Sequence, residues 1–451
     1  MNGYEIIKTV AADLGCRVTD ILAMSTRRDP FYCGQPAQRR DAEWYAHRHN
    51  QLNLGESVHL RRIHYQLVSQ DPPPIKPNGK AYQNTDKDWK WFCESAVAAR
   101  TLGLVDVRHF VDRRNPAPLI LRSAANDEHE QIARLSAADF WFYTIDADLS
   151  PPRLELPEVK VDGYGYTDAD QPYLIEIWAE KTTQNDILTP ICQQYRANLV
   201  TAAGFQSITA AINLIDRARK TGKPARIFYI SDFDPAGDKM PIAVARQIEY
   251  WIRQYGLDID IALNPIVLTE QQVSSYQLPR IPIKESDNRR GKFEARYGSG
   301  AVELDALEAL YPGELARLVN EAVSPYWDST LRMRMDAHQA DVQDRISQAW
   351  ARQIEPIREK VDDIEAAIAG VLERYEDELA DLASRLDDDI QPYREALDGI
   401  EETVDEQRGA FDPDLPERLA SDLETPDEAG WLFSSGRGYM EQISHYRREV
   451  A

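Results

Sequence analysis

The stretch Ala225–Asp238, ARIFYISDFDPAGD, decides how this chain is read. Ile227, Phe228, Tyr229 and Ile230 form a β-favouring run that ends abruptly in two carboxylates, Asp232 and Asp234. Pro235, Ala236 and Gly237 make a turn, and an apolar-periodic helix is expected from about Lys239. A continuous apolar run closed by turn residues predicts a strand buried on both faces, as in a parallel sheet under helical cover. Functional groups in such sheets gather at the carboxyl ends of the strands. Two carboxylates spaced i, i+2 there can converge on one hard cation such as Mg²⁺, which takes oxygen ligands.

Spacing alone does not single the pair out, because 75 of the 451 residues are acidic and Asp-x-Asp recurs at six other places. These are Asp86/Asp88, Asp146/Asp148, Asp168/Asp170, Asp258/Asp260, Asp387/Asp389 and Asp412/Asp414. Context separates Asp232/Asp234 from the others, with a buried strand before it, a Pro-Ala-Gly turn after it and a helix beyond.

Outward from this strand, residues from Pro172 onward alternate between the two periodicities. PYLIEIWAEK predicts a strand ending in Glu180, TQNDILTPICQQYRA a helix, and NLVTAAG a short strand closed by Gly204. FQSITAAINLIDRARKTG and MPIAVARQIEYWIRQYG predict helices on either side of the central strand, and DIALNPIVLT a further strand. This alternation implies βαβ units and a parallel sheet. Glu180 then shares a sheet edge with Asp232 and Asp234, where three carboxylates repel one another unless a cation sits among them. Lys181 reads equally as a structural neighbour or a phosphate contact. Lys284, Arg289, Arg290 and Lys292 occupy a polar loop after the sheet, and Glu303 and Asp305 sit in VELDAL before another helix.

Upstream, residues 1–55 predict a helical extension to which no chemistry can be assigned. ESVHLRRIHYQLVSQ and DKDWKWFCESAVAARTLG predict two helices, the second closed by Gly103. A short strand, LVDVRHFVD, and the basic turn RRNP follow, the pattern of a winged-helix module. Arg61 and Tyr65 lie one turn apart on its first helix. A tyrosine hydroxyl becomes a competent nucleophile when a cation or metal stabilises the phenolate, and arginine also grips phosphate. Residues 126–170, rich in proline and glycine toward their end, predict an aromatic core piece and a link. Beyond residue 325, apolar residues recur in steps of three and four from Val342 to Val404 on a charged background. They predict long helices pairing as a coiled coil, split or kinked at Pro356 and Pro392, with a second chain or an antiparallel helix of the same chain as partner.

Composition sets the outer bounds. The chain is long enough for two or three domains. No apolar run approaches the ~20 residues that span a bilayer, and the N-terminus lacks a basic region followed by an apolar core. A cytoplasmic protein with no membrane partner is expected, and Cys16, Cys33, Cys93 and Cys192 are scattered as reduced thiols. The net charge of −23 opposes a polyanionic partner less than it suggests. From Leu331 to Ala451 there are 31 acidic against 14 basic residues, whereas Glu56 to Ala125 carries 11 basic against 7 acidic. Local patches set the field that a nucleic acid meets.

Glu180 at the end of one strand, with Asp232-x-Asp234 and Gly237 after another, resembles the Toprim domain of topoisomerases, primases and some nucleases. Preceded by a winged helix with Arg61 and Tyr65 one turn apart, it resembles the A subunit of topoisomerase VI and the related meiotic recombination transesterase. YQLPRIPIKESD is similar to the segment that follows Toprim in those subunits. The resemblance covers roughly residues 56–325. One departure is His64 before Tyr65, where the family often has two aromatic residues.

Together, the residue patterns and the resemblance give an expected α/β protein in four parts, the two middle ones resting on the resemblance. These are a helical extension (1–55), a winged-helix domain with linker (56–170), a Toprim domain (171–325) and an acidic long-helix region (326–451). Mg²⁺ would be held by Glu180, Asp232 and Asp234, with DNA as substrate. Tyr65 would attack a DNA phosphate, assisted by Arg61, and Tyr65 of one protomer would meet the Toprim domain of its partner in a homodimer. The chain has no Gly-x-x-x-x-Gly-Lys-Ser/Thr loop, so ATP-driven strand passage would need a separate subunit. Two alternatives stay open at this point, a hydrolytic nuclease using metal-activated water and a non-catalytic DNA-bridging protein.

Overall fold

The computed structural model describes residues 3–53, 58–110, 115–125, 130–141, 153–202, 207–375 and 383–447. The chain forms two compact units. The first comprises Met1–Ala125, Gln171–Asp328 and Leu423–Ala451, and the second Asn126–Asp170 and Ser329–Asp422. No helix among the described residues is long and apolar enough to cross a membrane.

The first unit begins with helices α1 (Gly3–Asp13), α2 (Pro36–Gln51), α3 (Leu60–Val68) and α4 (Asp86–Thr101). Tyr45 of α2, Ile63 and Leu67 of α3, and Phe92 and Ala96 of α4 share one core with Val58 and Phe110. The strand expected over LVDVRHFVD is instead a 3₁₀ turn at Val107–His109, and Val58 and Phe110 form a single bridge. The reason is local. The Asp106 side chain accepts the Arg108 N–H at 2.8 Å, satisfying the backbone in a turn rather than a ladder. Arg113 and Arg114 of the expected basic turn lie outside the described residues.

In the second unit, β1 (Ile132–Leu135), β2 (Asp139–Trp141), β3 (Arg153–Glu155) and β4 (Val159–Asp162) form two antiparallel pairs, β1 with β4 and β2 with β3. The expected link is therefore partly structured.

The sheet of the first unit runs through β5 (Leu174–Ala179), β6 (Asn198–Thr201), β7 (Ala225–Ile230) and β8 (Ile261–Val267) in the order β6-β5-β7-β8, all parallel. Helices α5 (Asn185–Tyr195), α6 (Ile208–Thr221) and α7 (Met240–Tyr255) make the crossovers. Gly204, expected to close β6, lies outside the described residues. Successive side chains on a strand point to opposite faces, so β7 divides itself between two cores. Ala225, Ile227 and Tyr229 join the core of α6 and α7, while Phe228 and Ile230 join that of α5. Both faces are covered, which is why the strands read as continuous apolar runs.

After the sheet come α8 (Glu270–Ser275), α9 (Arg290–Tyr297), α10 (Leu304–Leu310) and α11 (Glu314–Val323), all carrying residues into the α5-side core. The second unit then contributes α12 (Leu331–Glu373) and α13 (Ala383–Ala410). These two long helices pair with each other, so the expected seam is closed by an antiparallel helix of the same chain. Val371 meets Leu386 and Ile390, while Ile357 and Val361 share a core with Leu397, Ile400 and Val404. Pro356 and Pro392 lie inside continuous helices and split neither. Gln343 of α12 accepts the Val161 N–H at 2.9 Å and donates to the Val159 carbonyl at 2.8 Å, docking β4 on the helix.

The acidic long-helix region does not extend to the end of the chain. Residues from Leu423 return to the first unit, where β9 (Phe433–Ser434) pairs antiparallel with β8 and α14 (Tyr439–Arg447) packs against the α7 side of the sheet.

Leu397 is fully buried in the α12/α13 seam. Leu397→Ala should destabilise the second unit by about 2–5 kcal/mol, the usual range for truncating a core leucine. Urea denaturation followed by circular dichroism should show a helical transition moved to lower denaturant.

Candidate active site

The carboxyl edge of the sheet collects the predicted acids. Glu180 immediately follows β5, and its N–H donates to the Ile230 carbonyl at 3.0 Å, tying it to the end of β7. Two residues beyond that end, the Asp232 N–H donates to Glu180 Oε2 at 3.3 Å. Asp234 Oδ1 accepts the N–H groups of Ala236 at 2.8 Å and Gly237 at 2.6 Å. The turn closes so tightly that a Cβ on Gly237 would stand 2.0 Å from the Asp232 carbonyl oxygen. Glycine is required here for close approach of two backbone segments.

A second backbone segment completes the edge. Phe233 and Val302 exchange a pair of N–H···O bonds, each 2.9 Å. This pairing sets Leu304 so that its N–H donates to Asp232 Oδ1 at 2.7 Å. Lys181 Nζ sits 2.6 Å from Asp232 Oδ2 and also bonds Glu303. Asp305 accepts hydrogen bonds from Thr183 and Gln184.

The electrostatics follow from this crowding. Burial pushes the Glu180 carboxyl up to about 7, and the charges of Asp232 and Asp234 push the same way. Burial also raises Asp232, against the opposing pull of Lys181 and the Leu304 N–H. Lys181 is raised although burial opposes it, because Asp232 and Glu303 hold its ammonium. The Tyr229 hydroxyl, on β7, is fully buried without a hydrogen-bond partner, and burial, then the Glu180 charge, raises it.

Cations flank the acids through α9. Phe233 packs edge-on against Phe293 and Tyr297 at centroid separations of 5.2 and 5.1 Å, and the Tyr297 hydroxyl donates to Asp238 at 2.9 Å. Arg289 precedes this helix and bonds Asp287 at 2.7 and 2.9 Å. The Asp287 bond raises its pKa against burial, and the charges of Asp234 and Glu180 add to the shift. Arg290 pairs with Glu294, while Lys284 and Lys292 are exposed.

Tyr65 and Arg61 belong to another surface. Both are exposed on α3, and the Tyr65 side of that helix faces solvent. The Arg61 guanidinium lies 5.3 Å from the Trp89 ring centroid rather than on the Tyr65 hydroxyl. His64 is buried beneath them, 2.6 Å from the Tyr82 hydroxyl and 3.1 Å from Asn84 Oδ1. No hydrogen bond, ion pair or ring contact among the described residues joins Tyr65 or Arg61 to Glu180, Asp232 or Asp234.

Glu180, Asp232 and Asp234 offer only hard oxygen donors, and this chemistry suits Mg²⁺. They do not form a finished cage. Among the described residues, no group of three or more histidine, cysteine, aspartate or glutamate side chains is arranged to hold a metal ion. Both Asp232 oxygens are already engaged, one by an amide and one by Lys181. The sequence named Lys181 and Glu303 without joining them. The only signals were the adjacency of Lys181 to Glu180 and of Glu303 to the start of a helix.

No protein-family model matches the sequence, and comparison with characterised proteins returns no match. The fold and the site define an α/β chain with a carboxylate cluster at the carboxyl edge of a parallel sheet.

Two outcomes test this geometry. Gly237→Ala should cost about 1–3 kcal/mol through overpacking. Gly291→Ala, where a Cβ would meet nothing within 4 Å, should leave the melting temperature unchanged or raised. For Glu180, a folded-state pKa above the ordinary carboxyl value means that its contribution to stability is full at low pH and lost as pH rises through about 7. In chelator-treated protein, Glu180→Gln should therefore raise the melting temperature above pH 7 and have no effect near pH ~4. Equal shifts at both pH values would contradict the burial of the charge.

Proposed function

We propose that this chain is a Mg²⁺-dependent DNA-cleaving enzyme resembling the topoisomerase VI A subunit, with a winged-helix DNA-binding part and a Toprim-like acidic site. The observation that carries this reading is the placement of Glu180, Asp232 and Asp234 along one sheet edge, where burial and the two acidic neighbours push the metal-free Glu180 carboxyl up to about 7. A purely structural edge gives no reason to assemble three repelling acids.

Glu180, Asp232 and Asp234 would hold the cation, which when bound supplies charge stabilisation at a phosphodiester. Tyr65 would be the nucleophile. Its hydroxyl oxygen bonds to phosphorus while the bond from phosphorus to a deoxyribose oxygen breaks, leaving one strand end on the tyrosine. The tyrosine loses its proton and the departing sugar oxygen gains one. Arg61, exposed beside Tyr65, would grip a phosphate oxygen. This version uses a homodimer, with Tyr65 of one protomer working at the acids of its partner, and a separate ATPase subunit if strands are passed.

One observation favours a second version. The acids lie within one chain, and among the described residues no hydrogen bond, ion pair or ring contact joins them to Tyr65 or Arg61. A hydrolytic nuclease, in which water attacks and Tyr65 only borders the DNA, needs nothing more than that cluster.

Incubating the protein with end-labelled DNA and Mg²⁺, followed by a denaturing gel, separates the versions. Transesterification leaves label on a protein-linked species, and Tyr65→Phe abolishes both the adduct and the cut. Hydrolysis gives free ends, and Tyr65→Phe cuts at near the wild-type rate. The Asp232→Asn, Asp234→Asn double variant should cut in neither case, and full activity in it would sink the metal-dependent reading.

A further inference from the structure

Lys181 bridges two carboxylates of unlike exposure. Asp232 is 5 % exposed and Glu303 48 % exposed at the side chain, and the one ammonium meets both. Glu303 is held there by the backbone pairing of Phe233 with Val302, which fixes the 301–304 segment against the acid loop. Lys181 itself extends from the residue directly after Glu180. The two acceptors are therefore set for one ammonium before anything binds, and moving it from one to the other needs only side-chain rotation.

We propose that Lys181 is an exchangeable internal cation. It neutralises Asp232 while the acid site is empty and transfers wholly to Glu303 when a divalent cation takes Asp232. This rests on the reading of Glu180, Asp232 and Asp234 as metal-binding acids. A carboxylate as buried as Asp232 is costly to leave ionised without a partner. The Leu304 N–H serves Oδ1 only, so Lys181 is the group that neutralises Asp232. Lysine suits the exchange because its ammonium is a compact point charge on a flexible stem, without the fixed fork geometry of arginine. Glu303 on this account is the receiving anion and not a metal ligand. Lys181 is a positioning residue, since it acts through Asp232.

The consequence is competition between ammonium and metal. Titration of the full chain with Mn²⁺, with free ion read by electron paramagnetic resonance, measures it directly. Lys181→Met should bind Mn²⁺ about tenfold more tightly, the factor expected for removing one competing charge-assisted hydrogen bond. The same variant should melt at lower temperature in chelator and regain stability on adding Mn²⁺. A second measurement needs no variant. Acylation of Lys181 by an amine-reactive ester, followed by mass spectrometry, should speed up on adding Mg²⁺, as the ammonium leaves the buried acid for the exposed one.

If wild type binds Mn²⁺, Asp234→Asn does not, and Lys181→Met binds no more tightly than wild type, the exchange is wrong while the metal reading stands. An acylation rate indifferent to Mg²⁺ in protein that binds the ion overturns it equally. If neither wild type nor Lys181→Met binds Mn²⁺, the metal reading falls and takes the exchange with it.

Discussion

Three carboxylates held at one edge of a parallel sheet must be compensated, and much of the local architecture around β7 does this. Asp234 is offset by the amides of its own turn, Asp232 by the Leu304 amide and by Lys181, and Glu180 by the Asp232 amide and the nearby Lys181 charge. Burial and the two neighbouring acids outweigh this compensation and push the Glu180 carboxyl up to about 7. Each compensation also imposes geometry. The turn amides reach Asp234 only if the chain folds back onto the Asp232 carbonyl, and only glycine at 237 permits that approach. The Leu304 amide reaches Asp232 only because Phe233 and Val302 are paired. The edge is thus built largely of backbone, which cannot reorient without unmaking the turn.

The same rule of paired charges holds inside the first unit. Glu176 lies in mid-strand, completely buried, with two bonds from Arg217 at 2.7 and 2.8 Å and further donors in Asn198 and Trp178. Arg246 of α7 is equally buried and bonds Asp29, Glu249 and the Tyr439 hydroxyl, with its guanidinium 4.0 Å from the Phe31 ring centroid. Through that one side chain the N-terminal loop and the C-terminal helix α14 are fixed to the same face of the sheet. Buried pairs of this kind add little net stability over an apolar replacement, but losing one member strands the other charge. They specify which segments meet, while the apolar cores supply the driving force.

That division explains what was legible in the sequence. β5, β7 and β8 were readable because a strand covered on both faces must be apolar throughout, and α6 and α7 because their apolar residues recur at helical spacing. Glu180, Asp232 and Asp234 were readable as acids at strand ends. The segments that escaped are those whose partners are remote. β9 exists because Phe433 lies opposite Leu263, and β4 because it pairs with β1 and is bonded by the Gln343 side chain. β9 is too short to show a periodicity, and the alternation of Val159, Lys160, Val161 and Asp162 spans only four residues. The strand expected after α4 was lost to the opposite cause, a local Asp106 side-chain bond that outcompeted the ladder. Lys181 was ambiguous for the same reason as β9, because its partner Glu303 is 122 residues away.

Arg61 and Tyr65 present the reverse of the acid edge, with outward-facing groups on a rigid support. Ile63, His64 and Leu67 bury the inner side of α3, and the His64 ring is fixed from both nitrogens by Tyr82 and Asn84. Above it, Arg61 lies against the Trp89 ring, which limits the rotamers a solvated arginine would otherwise sample. His64, between the two exposed groups, is therefore a residue that anchors the helix. A polar ring at position 64 can be held by directed hydrogen bonds, where a second aromatic would rely on packing alone. The consequence is an ordered helix surface presenting a guanidinium and a phenol one turn apart. Ordering those groups before a ligand arrives removes part of the entropy that binding would otherwise cost.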